Sequence, residues 1–302
     1  MRGVETKLFW FRYSAVLLLA VLLSTCSRGP SVERRQDDPS NPEMFSESEA
    51  YERFMGRWSR QLAPLFLEFA ELGEADTVLD VGSGTGALTS AVLSVVAPDQ
   101  VTGVDPSAAY VEYARSKIAD RRATFEVGDG QQLRFADQTF DASISMLVVN
   151  FIPDPGRALR EMVRVTRPGG VVAAAVWDYD AGMEMLRIFW DEAIARDPGS
   201  ESRDERHMRF SRAGELGDLW RAQGLVDVSE APLVIPMSFL SFDDFWQPFL
   251  EGQGPAGAYV VSLSPQSQRD LADRLRKRLQ AEGDGAIRLS GRAWAVRGLV
   301  AD

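Results

Sequence analysis

The residues best suited to chemistry are three carboxylates and a run of glycines in the first half of the chain. Val78-Leu79-Asp80-Val81-Gly82-Ser83-Gly84-Thr85-Gly86 reads as a buried strand that ends in a glycine loop and opens a helix over Ala87 to Val96. An apolar run bounded by glycines has the outline of a buried parallel strand. Glycine just past the carboxyl end of such a strand lets a ligand reach the backbone, because no Cβ stands in the way. The free N–H groups and dipole of the next helix favour a negative group there. A loop of this kind takes a nucleotide-like ligand.

Two ligand classes compete for it. Gly82-x-Gly84-x-x-Ala87 fits the dinucleotide fingerprint G-x-G-x-x-G/A, which points to a nicotinamide-dependent oxidoreductase. Asp80, two residues before the first glycine, points elsewhere. A carboxylate there would repel a pyrophosphate, but it suits a ligand with a free ammonium group. S-adenosylmethionine has that ammonium, carries a positive sulfonium and contains no phosphate. The succession Asp80-x-Gly82-x-Gly84-x-Gly86 resembles the first motif of class I S-adenosylmethionine-dependent methyltransferases.

Three further segments arrive in the order that this family shows. Val101-Thr102-Gly103-Val104-Asp105 reads as a second strand ending in an acid. The resemblance makes Asp105 the ribose-binding carboxylate, with Pro106 beside it. Dinucleotide enzymes place an acid at a similar distance, so Asp105 alone supports a ribose without choosing the cofactor. Thr124-Phe125-Glu126-Val127 is a short third strand leading to Gly128-Asp129-Gly130. Asp129 matches the family acid that receives the adenine amino group, and a backbone N–H near Gly130 would read the ring nitrogen. Phe140 to Met146 reads as a fourth strand whose end, at Met146, should lie close to the cofactor. A helix with Leu159, Met162, Val163 and Thr166 on one face follows, and Arg167-Pro168-Gly169-Gly170 should stop it. Val171 to Trp177 is the fifth strand. The helix, Pro-Gly-Gly and strand succession is typical of the methyltransferases and is not part of the dinucleotide fingerprint.

The elements that must position these residues extend on both sides. Tyr51 to Arg60 is similar to a segment that, in small-molecule methyltransferases of the ubiquinone and menaquinone biosynthesis type, precedes the sheet and closes over the cofactor. Ser83 joins the loop residues as a cofactor contact. Tyr51, Arg57 and Trp58 are candidates for the cofactor's carboxylate end or for the lid. Trp58, Leu62, Leu65, Phe66 and Phe69 share one helical face, as in a helix packed on the sheet. Beyond Trp177, Phe210 to Gln223 reads as a helix ended by Gly224, Leu225 to Phe239 contains a sixth strand, and Arg292 to Leu299 resembles the family's antiparallel seventh strand. Between the last two lies an insertion, about 239–288, with Phe242, Phe245, Trp246, Phe249 and Tyr259. It also holds a helix with Leu271, Leu275 and Leu279 aligned behind Ser264 and Pro265, which suit its N-cap and first turn. The aromatic residues either pack this lid or line an apolar acceptor pocket.

The resemblance thus implies an α/β fold: a doubly wound, seven-stranded, mostly parallel sheet with an antiparallel last strand and a helical lid insertion. The methyltransferase domain would span 44–302 with its cofactor-binding core at 75–177. The implied reaction moves a methyl group from S-adenosylmethionine to a small-molecule acceptor by in-line displacement. A membrane-tethered protein that binds the cofactor without catalysis is the other reading. Asp178 and Tyr179 fall on the side where an acceptor would lie. The single histidine, His207, sits in the charged stretch Asp204 to Met208 and reads as a surface residue. No catalytic base stands out, and no His/Cys cluster has metal-ligand spacing.

Charge and the first residues bound the setting. The formal net charge is −11 over 302 residues, and the first 27 carry Arg2, Lys7 and Arg12 against Glu5, which leaves about −13 for the rest. So acidic a surface argues against a nucleic-acid substrate. The lone Cys26 rules out an internal disulfide. Residues 1–27 contain an uncharged core, Ala15 to Leu23, of signal-peptide length, and Leu23-Ser24-Thr25-Cys26 resembles a lipoprotein cleavage box. Residues 8–26 would serve as a membrane tether, unless the true start lies near Met44. Because the methyl donor is made in the cytosol, the expectation is a domain facing the cytosol. Residues 28–43 are polar and proline-rich and read as a disordered linker.

Overall fold

The computed structural model describes residues 48–73, 75, 77–279 and 285–302. The expected leader, tether and linker, and the alternative start near Met44, lie outside the described residues. Along the chain, α1 (Ser48–Tyr51) passes through a π-helical turn, Glu52–Gly56, into α2 (Arg57–Ala70). Then come β1 (Thr77–Val81), α3 (Ala87–Val95), β2 (Gln100–Asp105), α4 (Ala108–Lys117), β3 (Ala123–Val127) and β4 (Phe140–Met146). They are followed by α5 (Pro155–Val165), β5 (Thr166–Trp177), α6 (Glu184–Arg196), α7 (Glu215–Ala222) and β6 (Val226–Phe239). The chain finishes with α8 (Phe242–Trp246), α9 (Gly254–Ser262), α10 (Pro265–Leu279) and β7 (Ile287–Leu299).

The seven strands form one sheet in the order β3-β2-β1-β4-β5-β7-β6. β1 to β5 pair in parallel, and β7 runs antiparallel to both of its neighbours. The doubly wound sheet and the reversed strand between the fifth and the sixth are therefore as expected. Burial explains the ordering. Val78, Leu79, Ala142, Ile144 and the run Val172 to Val176 are closed from solvent, as strands covered on both faces must be. β6 alternates between exposed and covered residues toward its end, as an edge strand does. The strand order reverses between β1 and β4, and the crevice outside the carboxyl ends at such a point is where open α/β sheets take ligands.

Three local expectations are corrected. The helix expected to begin at Phe210 starts at Glu215, because Phe210 (φ +64°) and Gly214 (φ +90°) both leave the right-handed region. α5 ends at Val165, so Thr166 belongs to β5, where its hydroxyl donates back to the Met162 carbonyl at 2.7 Å. Arg167 to Gly170 is the irregular start of that strand, and Gly169 and Gly170 exchange backbone hydrogen bonds with Val300. On α2, Trp58, Leu62 and Phe66 are buried, whereas Leu65 turns outward.

The insertion between β6 and β7 is helical, as expected, and comprises α8, a 3₁₀ turn (Gln247–Glu251), α9 and α10. Ser264 caps α10 by accepting the Ser267 N–H at 3.2 Å, and Leu271 and Leu275 are buried. Its rings pack the lid rather than standing open. Phe249 lies parallel to Phe189 of α6 at 4.7 Å and edge-on to Phe54 at 5.3 Å, which ties the insertion to α6 and to the N-terminal segment. Among the described residues no helix is long and apolar enough to cross a membrane.

Candidate functional site

The glycine loop is fixed by the strand beside it. Gly82 and Ser83 both donate backbone N–H groups to the Val104 carbonyl of β2, at 2.7 and 3.1 Å. Gly82 has φ +76°, and a Cβ there would strike the Val148 side chain at 2.4 Å, so both conformation and space demand glycine. Gly84 has φ +52° and open space around it; its requirement is conformational. That turn aims the Gly84 N–H at Asp105 Oδ2, 2.9 Å away. Gly86, with φ +91°, is the N-cap of α3.

Two carboxylates face this loop from β1 and β2. Asp80 Oδ2 accepts the Thr89 hydroxyl at 2.7 Å, whereas Asp80 Oδ1 is buried with no partner among the described residues. Burial pushes Asp80 up to about 7; the Thr89 hydroxyl opposes this and the nearby Asp105 adds to it. Asp105 Oδ1 accepts the Ser107 N–H at 2.8 Å. Burial raises Asp105 to about 6 against the Ser107 and Gly84 N–H groups. Ser83 Oγ is also buried and unpartnered among the described residues. A buried carboxylate oxygen without a donor is costly. A cationic or hydroxyl-bearing ligand would relieve it, and a diphosphate would aggravate it.

The other expected contacts take different positions. Asp129 is exposed in the turn after β3, where its Oδ1 accepts the Gln131 N–H at 2.8 Å. Gly130 packs closely on Val81, since a Cβ would lie 2.8 Å from that side chain. Pro106 is exposed directly after β2, and Met146 is buried at the end of β4. Of the two roles expected for Arg57, its contacts are those of the lid. Its Nη1 binds both carboxylate oxygens of Asp244 in the insertion, at 3.0 and 3.1 Å, and its guanidinium lies over the Trp58 and Phe239 rings. Its hydrogen bonds hold the lid to α2 instead of reaching the glycine loop. Glu52, which sequence reasoning missed, reaches that loop: its Oε1 accepts the Thr85 hydroxyl at 2.5 Å, and Arg60 holds the other oxygen.

Beyond β5 the residues divide in two. Asp178 is closed into an ion pair with Arg292 of β7, accepting from Nε at 2.7 Å, and caps the Ala181 N–H. Both carboxylate oxygens of Asp178 are thus engaged within the protein. Tyr179 is buried. Burial raises its pKa well above the ordinary value, Glu205 and Tyr51 add to this, and Asn150 opposes it. Glu205 is buried too, with the Trp190 indole N–H on its Oε2 at 2.5 Å. Burial pushes it up to about 8, opposed by Trp190 and increased by Asp204. Asn150 and Glu205 also escaped the sequence reading. Nothing sets Glu205 apart within a run of charges, whereas His207 two residues on is exposed, as expected.

Comparison with known proteins gives consistent matches. A family described as methyltransferase domain matches residues 79–174. A demethylmenaquinone methyltransferase of Roseiflexus sp. is 31% identical over 165 residues, covering 50% of this chain and 68% of that protein. A 2-methyl-6-phytyl-1,4-hydroquinone methyltransferase of Synechocystis sp. is 30% identical over 181 residues, 59% of this chain and 56% of that protein. For several other curated relatives the chain spans only about a third to a half of their length. The solved structure of a Haemonchus contortus phosphoethanolamine N-methyltransferase 2, in complex with phosphomonomethylethanolamine and S-adenosylhomocysteine, superposes with a TM-score of 0.53 at 19% identity, covering 84% of this chain and 57% of that one. At that identity the likeness is one of fold.

Proposed function

From the premise that this chain belongs to the methyltransferase family matched by its sheet and its relatives, we propose that it transfers a methyl group from S-adenosylmethionine to a small-molecule acceptor. The observation that carries the reading is Asp80 Oδ1, a buried carboxylate oxygen without a donor, beside an Asp105 already oriented by two backbone N–H groups. In this reading Asp80 holds the donor's ammonium end and Asp105 its ribose hydroxyls. Asp129 and the Gly130 N–H take the adenine edge, and Gly82 to Gly86 give the chain a close approach. When bound, the donor supplies a methyl group on a cationic sulfur that leaves as a neutral thioether.

The protein's task is then to position and to exclude water. Holding two reactants in near-attack geometry lowers a barrier by about 7–11 kcal/mol. The Glu52–Thr85 bond draws the N-terminal segment onto the glycine loop, and the Arg57–Asp244 pair draws the insertion onto α2, so the crevice is bordered from two directions. The names of the Roseiflexus and Synechocystis relatives support a ring-bearing acceptor. Asp80 at the glycine loop disfavours the pyrophosphate of a nicotinamide dinucleotide. Our proposal also places the domain in the cytosol, where the donor is made, tethered through residues 8–26. Protease sensitivity of the domain in intact spheroplasts would refute that placement.

Calorimetry tests the main reading directly. Micromolar binding of S-adenosylhomocysteine with no binding of NADH is expected; the reverse pattern would overturn it.

A further inference from the structure

Outside the carboxyl ends of β4 and β5, buried polar groups from separate elements converge, and two of their atoms, Asn150 Oδ1 and the Tyr259 hydroxyl, have no partner among the described residues. Glu205 uses Oε2 for the indole N–H of Trp190 of α6. Asn150, in the 3₁₀ turn after β4, has a buried Oδ1 with no partner, while its amide nitrogen donates to the Met208 sulfur at 3.4 Å. The Tyr259 hydroxyl of α9 is likewise buried and unpartnered, with its ring 5.6 Å from that of Trp190. Tyr179 links the group, since its hydroxyl feels both Glu205 and Asn150. It also feels Tyr51, which in turn feels Glu52 and Asp105. These influences bring the cluster within electrostatic range of Glu52 and Asp105 at the glycine loop.

Hydrogen-bonding groups are rarely left unmet inside a protein, and leaving several together is costly. Packing alone gives no reason for them, because apolar residues of the same shape would be more stable. A ligand that supplies the missing donors would satisfy them. Resting on the methyl-transfer reading, we infer that Glu205, with Tyr179 and Asn150, is the acceptor's polar anchor and receives the proton of an acceptor hydroxyl.

The surroundings define the acceptor's class. Phe189, Trp190 and Tyr259 pack against one another beside Glu205, and such apolar surroundings favour an acceptor whose body is apolar or a ring. Once Glu205 is ionised, it makes the spot unfavourable to a carboxylate or phosphate. As the acceptor oxygen bonds to the methyl carbon, the carbon–sulfur bond breaks with its electron pair staying on sulfur. The hydroxyl proton passes to Glu205, so the cationic donor becomes a neutral thioether and the carboxylate a neutral acid.

The groups around Glu205 set its behaviour with pH. They are the Trp190 N–H from α6, the Tyr179 hydroxyl after β5, and Asp204 on its own turn. Asp204 is held by Arg206, which also binds Asp191 of α6, and Arg203 lies over the Tyr259 ring. Glu205 is protonated at neutral pH and gains its accepting form as the pH rises through about 8.

The test uses the full chain saturated with S-adenosylhomocysteine, with 1,4-dihydroxybenzene and 1,4-dimethoxybenzene as probes in calorimetry. The dihydroxy compound should bind at least tenfold more tightly than the dimethoxy compound, and more tightly at pH 9 than at pH 7. Glu205→Gln should abolish both differences and leave S-adenosylhomocysteine affinity within twofold. Tyr179→Phe, which keeps the carboxylate, should weaken the dihydroxy probe and retain the pH dependence. Equal binding of the two probes, no binding of either, or a folded Glu205→Gln protein that behaves as wild type would each overturn the anchor. Failure of S-adenosylhomocysteine to bind the wild type would instead count against the methyl-transfer reading, and the two probes against pH would still judge the anchor.

Discussion

The Thr85 hydroxyl donates to Glu52 Oε1 at 2.5 Å and so joins a turn that precedes the sheet to the loop between β1 and α3. The π-helical turn makes this reach possible, and Gly56 leaves room for it, because a Cβ there would fall on the Glu52 carboxylate. Thr85→Val keeps the shape and removes the donor. A hydrogen bond to a charged group contributes about 1.5–3 kcal/mol when buried. The variant should therefore release S-adenosylhomocysteine roughly tenfold or more faster in stopped-flow displacement, with little change in the rate of association.

Asp105 lies between the loop and α4 and is oriented before any ligand arrives. Asp105→Asn should weaken S-adenosylhomocysteine binding by about 10-fold to 100-fold, the range for losing a charge-assisted bond. Calorimetry on protein with unchanged circular dichroism would check this. Affinity equal to that of the wild type would remove Asp105 from the site.

Asp80 makes binding proton-linked. With its pKa near 7, Asp80 is mostly protonated at pH 6, and a ligand ammonium favours the carboxylate. Binding at pH 6 should release a proton, and affinity should rise toward pH 8. Apparent enthalpies in buffers of different ionisation heat would show the release, and Asp80→Asn should lose it.

The same burial governs stability. Asp80 and Glu205 have folded-state pKa values raised to about 7 and about 8, so the native state binds more protons than the unfolded chain at mid pH. Their contribution is fully present below the ordinary carboxylate range and is lost as the pH climbs through 7 and 8. The urea midpoint of the free protein should fall between pH 5 and pH 8. Asp80→Asn should flatten that slope.

Arg57 separates structure from binding. Its guanidinium is engaged by Asp244 and by two rings, so Arg57→Ala should destabilise the fold by about 1–3 kcal/mol. Donor affinity should change less than in Asp105→Asn. Equal losses in both would place Arg57 at the cofactor after all.

The strands and the glycine loop were legible because their signals are local. Val78 to Val81 is continuous and apolar, and Gly82, Gly84 and Gly86 each occupy a backbone conformation that other residues avoid. The partners of long side chains were not legible in the same way. Arg57 stayed open between the cofactor's carboxylate end and the lid because Asp244, its partner, lies far along the chain. Glu205 looked like one charge in a solvated run, and only the tertiary packing of Trp190 and Tyr179 around it makes it a buried acid. Phe210 carried an apolar periodicity that suited a helix, while its left-handed backbone begins a turn.

The place of β7 has a consequence for how the molecule is assembled. This strand enters between β5 and β6, yet it is the last of the seven to be made. Until it arrives, β5 and β6 each present an unpaired ladder of backbone groups, the kind of surface that recruits strands from other chains. A nascent polypeptide halted before Ile287 would thus expose two sticky borders at once, and shielding them during translation would fall to whatever chaperone meets the chain first.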